Sequence, residues 1–329
     1  MHAFSSVPCL PEAASTPLGA EVYRGLTAFP KKLSPWLFYD QRGSELFEAI
    51  TELPEYYLTR TERGIFEQFG DEILATADAK KLSMIELGAG TATKTRLLLD
   101  AAVRRQASVE YYPIDISTTA LEEARRRIGE EQPHVSCMPI VSDYTKDMSD
   151  VHSIGGRRLV LYIGSSIGNF EPAEAAKLLR RLRGQLAAGD LLLLGVDHVK
   201  DRFTLLKAYN DAAGVTAEFN RNMLVRIKRE LGAKFRPGLF RHRACWNERE
   251  ARIEMHLESV VAQEIAIPAL ELQVSFQRGE SIHTENSYKF TPERVAEMLG
   301  WAGFEVRKEW TDARKWFGVY LAEAGESRV

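Results

Sequence analysis

The sequence is poor in cysteine and has no surplus of basic residues. Its three cysteines, Cys9, Cys137 and Cys245, are odd in number and far apart, which excludes both a disulfide framework and a cysteine-based zinc cluster. Lys and Arg total 43 against 46 Asp and Glu, for a formal net charge of −3. Because this balance cannot neutralise a phosphate backbone, nucleic acid is not an expected partner.

Long apolar runs are also missing. No window approaches the roughly 20 apolar residues that a membrane-spanning helix needs. The first residues, MHAFSSVPCLPEAAS, lack the basic start and apolar core of a secretion signal. The seven histidines show no HExxH or similar ligand spacing. We therefore expect a soluble, cytoplasmic, monomeric protein that binds no metal, membrane or nucleic acid.

Apolar residues make up 45% of the chain, which is enough for a substantial core. Short apolar runs alternate with helical patterns, as buried parallel strands do with crossover helices. The predicted strands of this kind are SMIELG, YYPIDIS, HVSCMPIVSDY, RRLVLYIGSS and DLLLLGVD, and the rhythm returns near the C-terminus with EVRKEW and FGVYLAEA. The pattern predicts an α/β, Rossmann-like fold around a mostly parallel sheet.

The α/β rhythm breaks after Asp197, where longer helices are followed by strand pairs such as RIEMHLESVVAQEIAI. We predict a doubly wound domain and a second, α+β substrate-binding domain that is made of insertions. The N-terminal segment, rich in Pro, Ser and Ala, is expected to be loose. The predicted boundaries are 1–18 for the loose segment, 62–197 with 289–329 for the doubly wound domain, and 19–61 with 198–288 for the second domain.

The first chemical motif is ELGAGTATKT, from Glu86 to Thr95, where the first predicted strand turns into a helix. Gly88 and Gly90 allow the backbone to approach a ligand, and the helix N-terminus offers free N–H groups. A dinucleotide fingerprint has a third glycine at the position where this chain has Thr93, which counts against an NAD-dependent oxidoreductase. A plain tight turn remains an alternative interpretation.

Acidic residues follow at the ends of the next two predicted strands. Asp115, in YYPIDIS, can accept hydrogen bonds from both hydroxyls of a ribose. Asp143 can accept from an adenine amino group, and Tyr144 can lie beside the ring. Open α/β sheets bind ligands at these strand ends, although each residue alone could be a helix cap or a loop residue. Together they indicate a cofactor with a ribose and an adenine but no phosphate, namely S-adenosylmethionine.

The block PIDISTTALEEA resembles the second motif of class I methyltransferases, and the last helix–strand–strand unit resembles the C-terminal antiparallel strand of that fold. From about residue 20 to 323, the chain resembles the family of L-histidine Nα-methyltransferases of ergothioneine biosynthesis, which convert histidine to its trimethylated betaine, hercynine. The resemblance is strongest in WLFYDQRGSELFEAITELPEYYLTRTE, ELGAGTATKT, GSSIGNF, AYNDAAGVTAEFNRN and TENSYKF. It implies a seven-stranded class I methyltransferase domain and three methyl transfers from S-adenosylmethionine.

The resemblance also implies roles for particular residues. The implied cofactor contacts are Gly88, Lys94, Asp115, Asp143 and Tyr144, with Tyr39 and Phe47 near the sulfonium. The implied substrate contacts are Tyr56, Gly164, Asn169, Tyr209, Met255, Glu285, Asn286 and Ser287. Asn169 and Tyr209 would hold the α-carboxylate of histidine. The imidazole would be held by Tyr56, Glu285 and Ser287, with Met255 against the ring. Tyr39 is assigned a catalytic role, which is to align the amine while water removes its proton.

The segment HTENSYKF, His283 to Phe290, reads as a strand. Period 2 places Glu285 and Ser287 on one face, with Asn286 as a spacer between them. A neutral imidazole has one donor and one acceptor nitrogen, so a carboxylate and a hydroxyl can satisfy it.

Plainer interpretations remain for several residues. Tyr39, Phe47, Tyr56 and Met255 could be core residues, Tyr209 an ordinary amphipathic residue, Lys94 a solvated lysine, and Asn169 a helix cap. Two other functions also remain open. The chain could methylate another amino acid such as tryptophan, or it could be a cofactor-binding module without catalysis.

Overall fold

A computed structural model describes residues 11–77 and 81–326. The chain forms two compact units, each built from segments that are far apart in sequence. The insertion unit comprises the described part of residues 1–57 together with 201–287, and the sheet unit comprises the described parts of 58–200 and 288–329. The sequence pattern places the corresponding boundaries after residues 61, 197 and 288.

The helices and strands of the described residues run as follows. The α-helices are α1 Pro17–Thr27, α2 Gln41–Thr51, α3 Tyr57–Thr76, α4 Arg96–Gln106, α5 Thr118–Glu131, α6 Ser149–Ser153, α7 Pro172–Gln185, α8 Arg202–Ala208, α9 Val215–Leu231 and α10 Pro292–Ala302. The strands are β1 Leu82–Leu87, β2 Val109–Asp115, β3 Val135–Cys137, β4 Ile140–Val141, β5 Arg157–Tyr162, β6 Leu191–Asp197, β7 Phe240–Asn247, β8 Arg252–Ser259, β9 Gln263–Ile267, β10 Leu272–Phe276, β11 Ser281–Tyr288, β12 Phe304–Thr311 and β13 Phe317–Ala324.

The sheet unit contains a mostly parallel sheet with the order β12-β13-β6-β5-β1-β2-β3. β13 runs antiparallel to both of its neighbours, β6 and β12. The α/β fold predicted from the alternating pattern is confirmed. The run HVSCMPIVSDY is not one strand, however, because it is broken into β3 and β4, which both pair with β2. Pro139 lies between them and lacks the N–H group that a continuous ladder requires.

Two apolar cores cover the two faces of this sheet. Successive residues of a strand point to opposite faces, and Met84 belongs to one core while Ile85 belongs to the other. Helices α3 and α4 contribute to the first core, and α7 and α10 to the second. β1 and β6 are therefore buried along their whole length, which explains why their sequences are continuous apolar runs.

The insertion unit contains a three-stranded sheet, β11-β8-β7, and a separate pair, β9 and β10. The expectation that RIEMHLESVVAQEIAI forms a strand pair is wrong. β8 pairs with β7 along eight residues, whereas β9 pairs with β10. Apolar alternation predicts each strand correctly, but strand partners are chosen by long-range packing that the local pattern does not encode.

The expectation that residues 1–18 form a loose segment is wrong for the part that the structure describes. Residues 1–10 lie outside the described residues, but Glu12–Ser15 form a short 3-10 helix, and α1 begins at Pro17. The Thr16 hydroxyl accepts a hydrogen bond from the Gly19 amide at 3.0 Å, and Pro17 occupies the first turn of the helix. A threonine cap followed by proline is a signal for the start of a helix. The prediction of a loose segment considered only its content of Pro, Ser and Ala. No helix in the described part of the chain combines the length and apolarity needed to cross a membrane.

Candidate active site

The glycine-rich loop of the sheet unit follows β1 and leads to α4. Gly88 and Gly90 both have positive φ angles, of 69° and 52°, a conformation that glycine adopts without strain. The Gly88 amide donates to the Ile114 carbonyl at 2.8 Å. A Cβ atom added to Gly88 would lie 3.4 Å from the Tyr144 ring. The loop therefore packs closely against Ile114 and Tyr144, and its predicted approach to a ligand stays a prediction.

Asp115, the last residue of β2, is tied directly to this loop. One of its carboxylate oxygens accepts from the Gly90 amide, and the other accepts from the Ser117 amide, each at 2.9 Å. A carboxylate has about four acceptor positions. Asp115 therefore keeps capacity for the two hydroxyls of a ribose while it holds the loop in place.

Asp143 and Tyr144 lie at the next strand end. Asp143 accepts from the Thr145 amide at 3.0 Å and from the Lys146 ammonium at 2.8 Å. Burial alone would raise the pKa of Asp143, but these donors outweigh it and lower the pKa, so the group is ionised at neutral pH. Burial raises the pKa of Tyr144 to about 12, so this phenol stays neutral beside Gly88.

Lys94 is not a solvated lysine. Its ammonium contacts the Glu62 carboxylate at 2.7 Å, and only 26% of its side chain is exposed. The other Glu62 oxygen accepts from the Gly164 amide, also at 2.7 Å. Sequence reasoning missed Glu62, although its spacing carries a signal. It lies on the apolar stripe of α3 with Phe66 and Ile73, and an acid within such a stripe needs a buried partner.

Gly164 and Asn169 belong to the loop that follows β5. Gly164 has a φ of 79°, and Asn169 ends the 3-10 helix Ser166–Asn169. The cap of α7 is Glu171, which forms a capping box with Glu174. Asn169 is therefore not the helix cap that the plainer interpretation suggested. Its role as a substrate contact stays a prediction.

Four of the predicted aromatic site residues form one group in the insertion unit. Tyr39 packs edge-on against Phe47 at 6.0 Å, Phe47 against Tyr56 at 6.4 Å, and Tyr56 against Tyr209 at 6.3 Å, measured between ring centroids. Phe219, which sequence reasoning missed, packs against Tyr39 and Phe47. Tyr56 and Tyr209 are buried, whereas Tyr39 remains 39% exposed. Tyr39 is thus a partly exposed residue that packs against the half-buried Phe47 and the buried Phe219.

Tyr209 connects this aromatic group to β11. Its hydroxyl lies 2.7 Å from the Ser287 hydroxyl. Its carbonyl accepts from His242 Nε2 at 2.9 Å, and His242 Nδ1 accepts from Asn220 at 2.9 Å. Because burial lowers the pKa of His242, this histidine is neutral and holds Tyr209 through one defined tautomer. The sequence alone does not predict that the buried residues Asn220 and His242 support Tyr209.

The strand prediction for HTENSYKF is confirmed from His283 to Tyr288, which are part of β11. Glu285 is half-buried and Ser287 is buried. They share a face by alternation, and Asn286 points to the opposite one. Met255 is almost fully buried in β8, where a core role is sufficient to explain it. The substrate contacts assigned to Met255 and Asn286 stay predictions.

A polar group beside this strand was not predicted from sequence spacing. Within the described residues, Cys245, Glu254 and His256 offer ligand-type atoms that lie within 4.8 Å of one another. The β7–β8 register places Cys245 opposite Glu254. Burial alone would raise the pKa of Glu254, but donors from Asn247, Arg252 and His256 lower it to about 2. Burial lowers the pKa of His256 to about 4. Hydrogen bonds within the protein thus hold the Glu254 carboxylate of this group.

The residues at the carboxyl edge of the parallel strands suit S-adenosylmethionine in their chemistry. Two carboxylates are available for hydroxyl and amino donors, the glycine loop allows close approach, and a lysine is available for a carboxylate. Comparison with known proteins decides the family. The family described as "Histidine-specific methyltransferase, SAM-dependent" matches residues 18–324.

The chain belongs to this family. Histidine N-alpha-methyltransferase of Mycolicibacterium smegmatis is 45% identical over 94% of this chain and 96% of its own length. The protein of the same name from Mycobacterium tuberculosis is 42% identical over the same shares. Ergothioneine biosynthesis protein 1 of Neurospora crassa is 31% identical over 89% of this chain. The matched region makes up 33% of that longer fungal protein.

Membership of the histidine-specific methyltransferase family defines the cofactor and the fold. The methyl donor of the family is S-adenosylmethionine. The mostly parallel sheet, with β13 as its antiparallel strand, agrees with the α/β fold that the sequence resemblance implied.

Proposed function

We propose that this chain transfers three methyl groups from S-adenosylmethionine to the α-amino group of L-histidine. The product is hercynine, and the reaction is the first step of ergothioneine biosynthesis. The family match over residues 18–324 is the observation that carries this proposal. The extent of methylation is the part that goes beyond family membership.

The cofactor supplies an electrophilic methyl group on a positively charged sulfur. In the sheet unit, Asp115 is assigned to the ribose hydroxyls and Asp143 to the adenine amino group. Tyr144 is assigned to the adenine ring, and Lys94 is assigned to the cofactor carboxylate. The hydrogen bonds from Gly90 and Ser117 to Asp115 support this assignment, because they orient the carboxylate before any ligand binds.

In the insertion unit, Glu285 is assigned to accept from the imidazole N–H of the substrate, and the Ser287 hydroxyl serves the other ring nitrogen. Tyr209 is assigned to the α-carboxylate and Tyr56 to the ring. The 2.7 Å contact between the Tyr209 and Ser287 hydroxyls supports this assignment, since two buried polar groups are held in one place. The roles of Gly164, Asn169, Asn286 and Met255 are those implied by the resemblance.

The amine must be neutral before each transfer, and we assign its proton to water. Tyr39 is the residue assigned to align the amine, with Phe47 beside it near the sulfonium. The partial exposure of the Tyr39 ring and its edge-on packing against Phe47 support this role. Alignment of two reacting groups is a large part of what a protein can add to such a transfer.

The proposal includes a cytoplasmic location and a monomeric state. Among the described cysteines, Cys137 and Cys245 are free thiols. Free thiols are usual in a reducing compartment, which supports the cytoplasmic part of the proposal.

The decisive experiment incubates the purified protein with S-adenosylmethionine and an equimolar mixture of amino acids that includes tryptophan. We expect mass spectrometry to show a gain of three CH₂ units on histidine alone. A gain on tryptophan or another amino acid would contradict the substrate assignment. Cofactor binding in calorimetry without turnover of any amino acid would favour a non-catalytic module instead.

A further inference from the structure

Glu62 is a fully buried carboxylate whose two oxygens hold two separate loops. One oxygen accepts from Lys94 Nζ, and the other accepts from the Gly164 amide, both at 2.7 Å. The side chain of Glu62 has no exposed surface. Glu62 lies on α3, whereas Lys94 follows β1 and Gly164 follows β5. The carboxylate therefore joins the two loops that emerge from neighbouring parallel strands.

The sheet makes room for this carboxylate at Gly195 in β6. A Cβ atom at Gly195 would lie 2.2 Å from the nearer Glu62 oxygen, so the carboxylate would have to move away from its present position. Gly195 has an ordinary backbone conformation, so the space it leaves is the reason for a glycine there. A Cβ atom at Gly164 would in turn lie 2.9 Å from Lys94 Nζ. Two glycines thus frame the contact between Glu62 and Lys94.

Such an arrangement is costly unless it holds something in place. A buried carboxylate loses its hydration, and an ion pair often does no more than offset that loss. A lysine side chain also gives up rotamer entropy when it is held in one position. An apolar residue on α3 would pack against the sheet without these costs. The pair is therefore better explained by what it positions than by what it adds to stability.

We propose that Glu62 is a positioning residue for the cofactor. It holds the Lys94 ammonium in one place at the start of the loop-to-helix turn and aligns the Gly164 backbone. Lys94 has three donor hydrogens and uses one on Glu62, so two remain for the carboxylate of the methionine part of S-adenosylmethionine. This inference rests on the proposed function, in which Lys94 contacts the cofactor.

The first test is a cycle of Glu62→Gln, Lys94→Met and the double variant, with S-adenosylhomocysteine as the calorimetric probe. Gln keeps an acceptor for the Gly164 amide but no longer pairs with the ammonium. We expect Glu62→Gln to weaken probe binding roughly ten- to a hundredfold. The double variant should bind about as well as Lys94→Met alone, because residues that act through one another are not additive. The Kd of L-histidine, measured without cofactor, should not change.

Thermal stability gives a second readout, which helps to separate a positioning role of Glu62 from a purely structural one. Lys94→Met leaves the Glu62 carboxylate buried without its cation and should lower Tm, and the added Glu62→Gln change should restore part of that loss. If the effects of the two changes on probe binding were instead additive, Glu62 would not act through Lys94, and the proposal would be wrong.

The matched control is the Arg158–Asp190 pair of the same unit. Both side chains are buried, and Arg158 Nε donates to Asp190 at 2.8 Å. This pair lies at the amino-terminal ends of β5 and β6, on the opposite edge of the sheet from the glycine loop. Asp190→Asn should lower Tm and leave probe binding unchanged. If Glu62→Gln gave this same result, Glu62 would be purely structural and the proposal would be overturned.

Gly195→Ala offers a second route if Glu62→Gln does not fold. It displaces the carboxylate without changing any charge and should also weaken probe binding, whereas wild-type affinity would overturn the proposal. The failure of the proposed function looks different, because it appears in the wild-type protein as absent methylation of L-histidine, whereas the positioning role is read from probe binding by the variants. If the wild type binds but Lys94→Met has no effect, the positioning role falls together with the assignment of Lys94.

Discussion

The hydroxyl groups of Tyr209 and Ser287 lie 2.7 Å apart in the insertion unit, although they are 78 positions apart in the chain. Both side chains are buried. Tyr209 is held from its other side by His242, which donates to its carbonyl. The two hydroxyls therefore form a fixed polar pair at the end of a largely apolar aromatic group, where a polar ligand group can be recognised.

Removing either hydroxyl should weaken substrate binding. Tyr209→Phe and Ser287→Ala each leave the partner hydroxyl buried with one hydrogen bond fewer, so we expect roughly tenfold weaker binding of L-histidine for each. The double variant should lose less than the sum, because the two groups share one hydrogen bond. Calorimetry with L-histidine measures all three affinities.

Ser259→Ala is the control, since it removes another buried serine hydroxyl, bonded to the Val261 carbonyl, from the same sheet. Unchanged affinity in both single variants would contradict the assignment.

Glu285→Ala removes the carboxylate that is assigned to accept a hydrogen bond from the substrate imidazole. We expect L-histidine to bind roughly a hundredfold more weakly, with binding of S-adenosylhomocysteine unchanged. Glu285→Gln should lose less, because its amide oxygen can still accept from the ring N–H. Glu280→Gln is the matched control, since Glu280 precedes the same strand and pairs with Lys31. Equal loss of both ligands on Glu285→Ala would show that Glu285 maintains the fold rather than binding histidine.

Asp115→Asn should weaken cofactor binding and leave substrate binding unchanged. The asparagine amide has one acceptor oxygen, so it cannot serve both the Gly90 and Ser117 amides that the carboxylate now accepts. We expect roughly a hundredfold loss in affinity for S-adenosylhomocysteine, with the Kd of L-histidine retained. Asp147→Asn is the control, because Asp147 is a surface acceptor for the Ser149 amide. Wild-type cofactor affinity in Asp115→Asn would remove Asp115 from the cofactor site.

Tyr39→Phe should slow methyl transfer without removing the aromatic packing of the ring. We expect lower rates for each of the three steps, with mono- and dimethylhistidine visible by mass spectrometry in single-turnover time courses. Because the ring still contacts Phe47, stability should change little. Tyr23→Phe, which removes a phenol hydroxyl from α1, is the control. If every step ran at the wild-type rate in Tyr39→Phe, the alignment role would have to be dropped.

Glu86 should contribute stability that is lost as pH rises from about 4.5 to 7. Burial raises the pKa of Glu86 from 4.5 to about 7, even though Thr95 and Tyr111 donate to it. In that window Glu86 binds a proton in the folded state that it has released in the unfolded state, so its contribution to the free energy of unfolding decreases as pH increases. The full effect would be about 3 kcal/mol.

Urea unfolding of the wild type and Glu86→Gln at several pH values checks this expectation. The neutral amide cannot titrate, so the stability difference between the two proteins should shift in favour of the variant from pH 5 to 7. A difference that stays constant across this window would show that Glu86 is ionised throughout.

Much of the sheet unit was predictable because its signals are local. The apolar runs of β1 and β6 require burial on both faces, and Gly88 and Gly90 mark a turn with positive φ. Asp115 follows from its place at a strand end. The partner of Lys94 was not predictable, since Glu62 lies 32 positions earlier in the chain, and helix periodicity shows only that an acid lies in an apolar stripe.

The insertion unit shows the same division. Alternation in HTENSYKF determines that Glu285 and Ser287 share a face, and the sequence resemblance names Tyr39, Phe47, Tyr56 and Tyr209 as site residues without showing that they form one group. Only the tertiary structure decided that β8 pairs with β7 rather than with β9, and that His242 holds Tyr209. Periodicity encodes which side of an element is buried, because burial depends on the residue itself. The choice of partner depends on packing and hydrogen bonding between distant segments, and these exist only once the chain has folded.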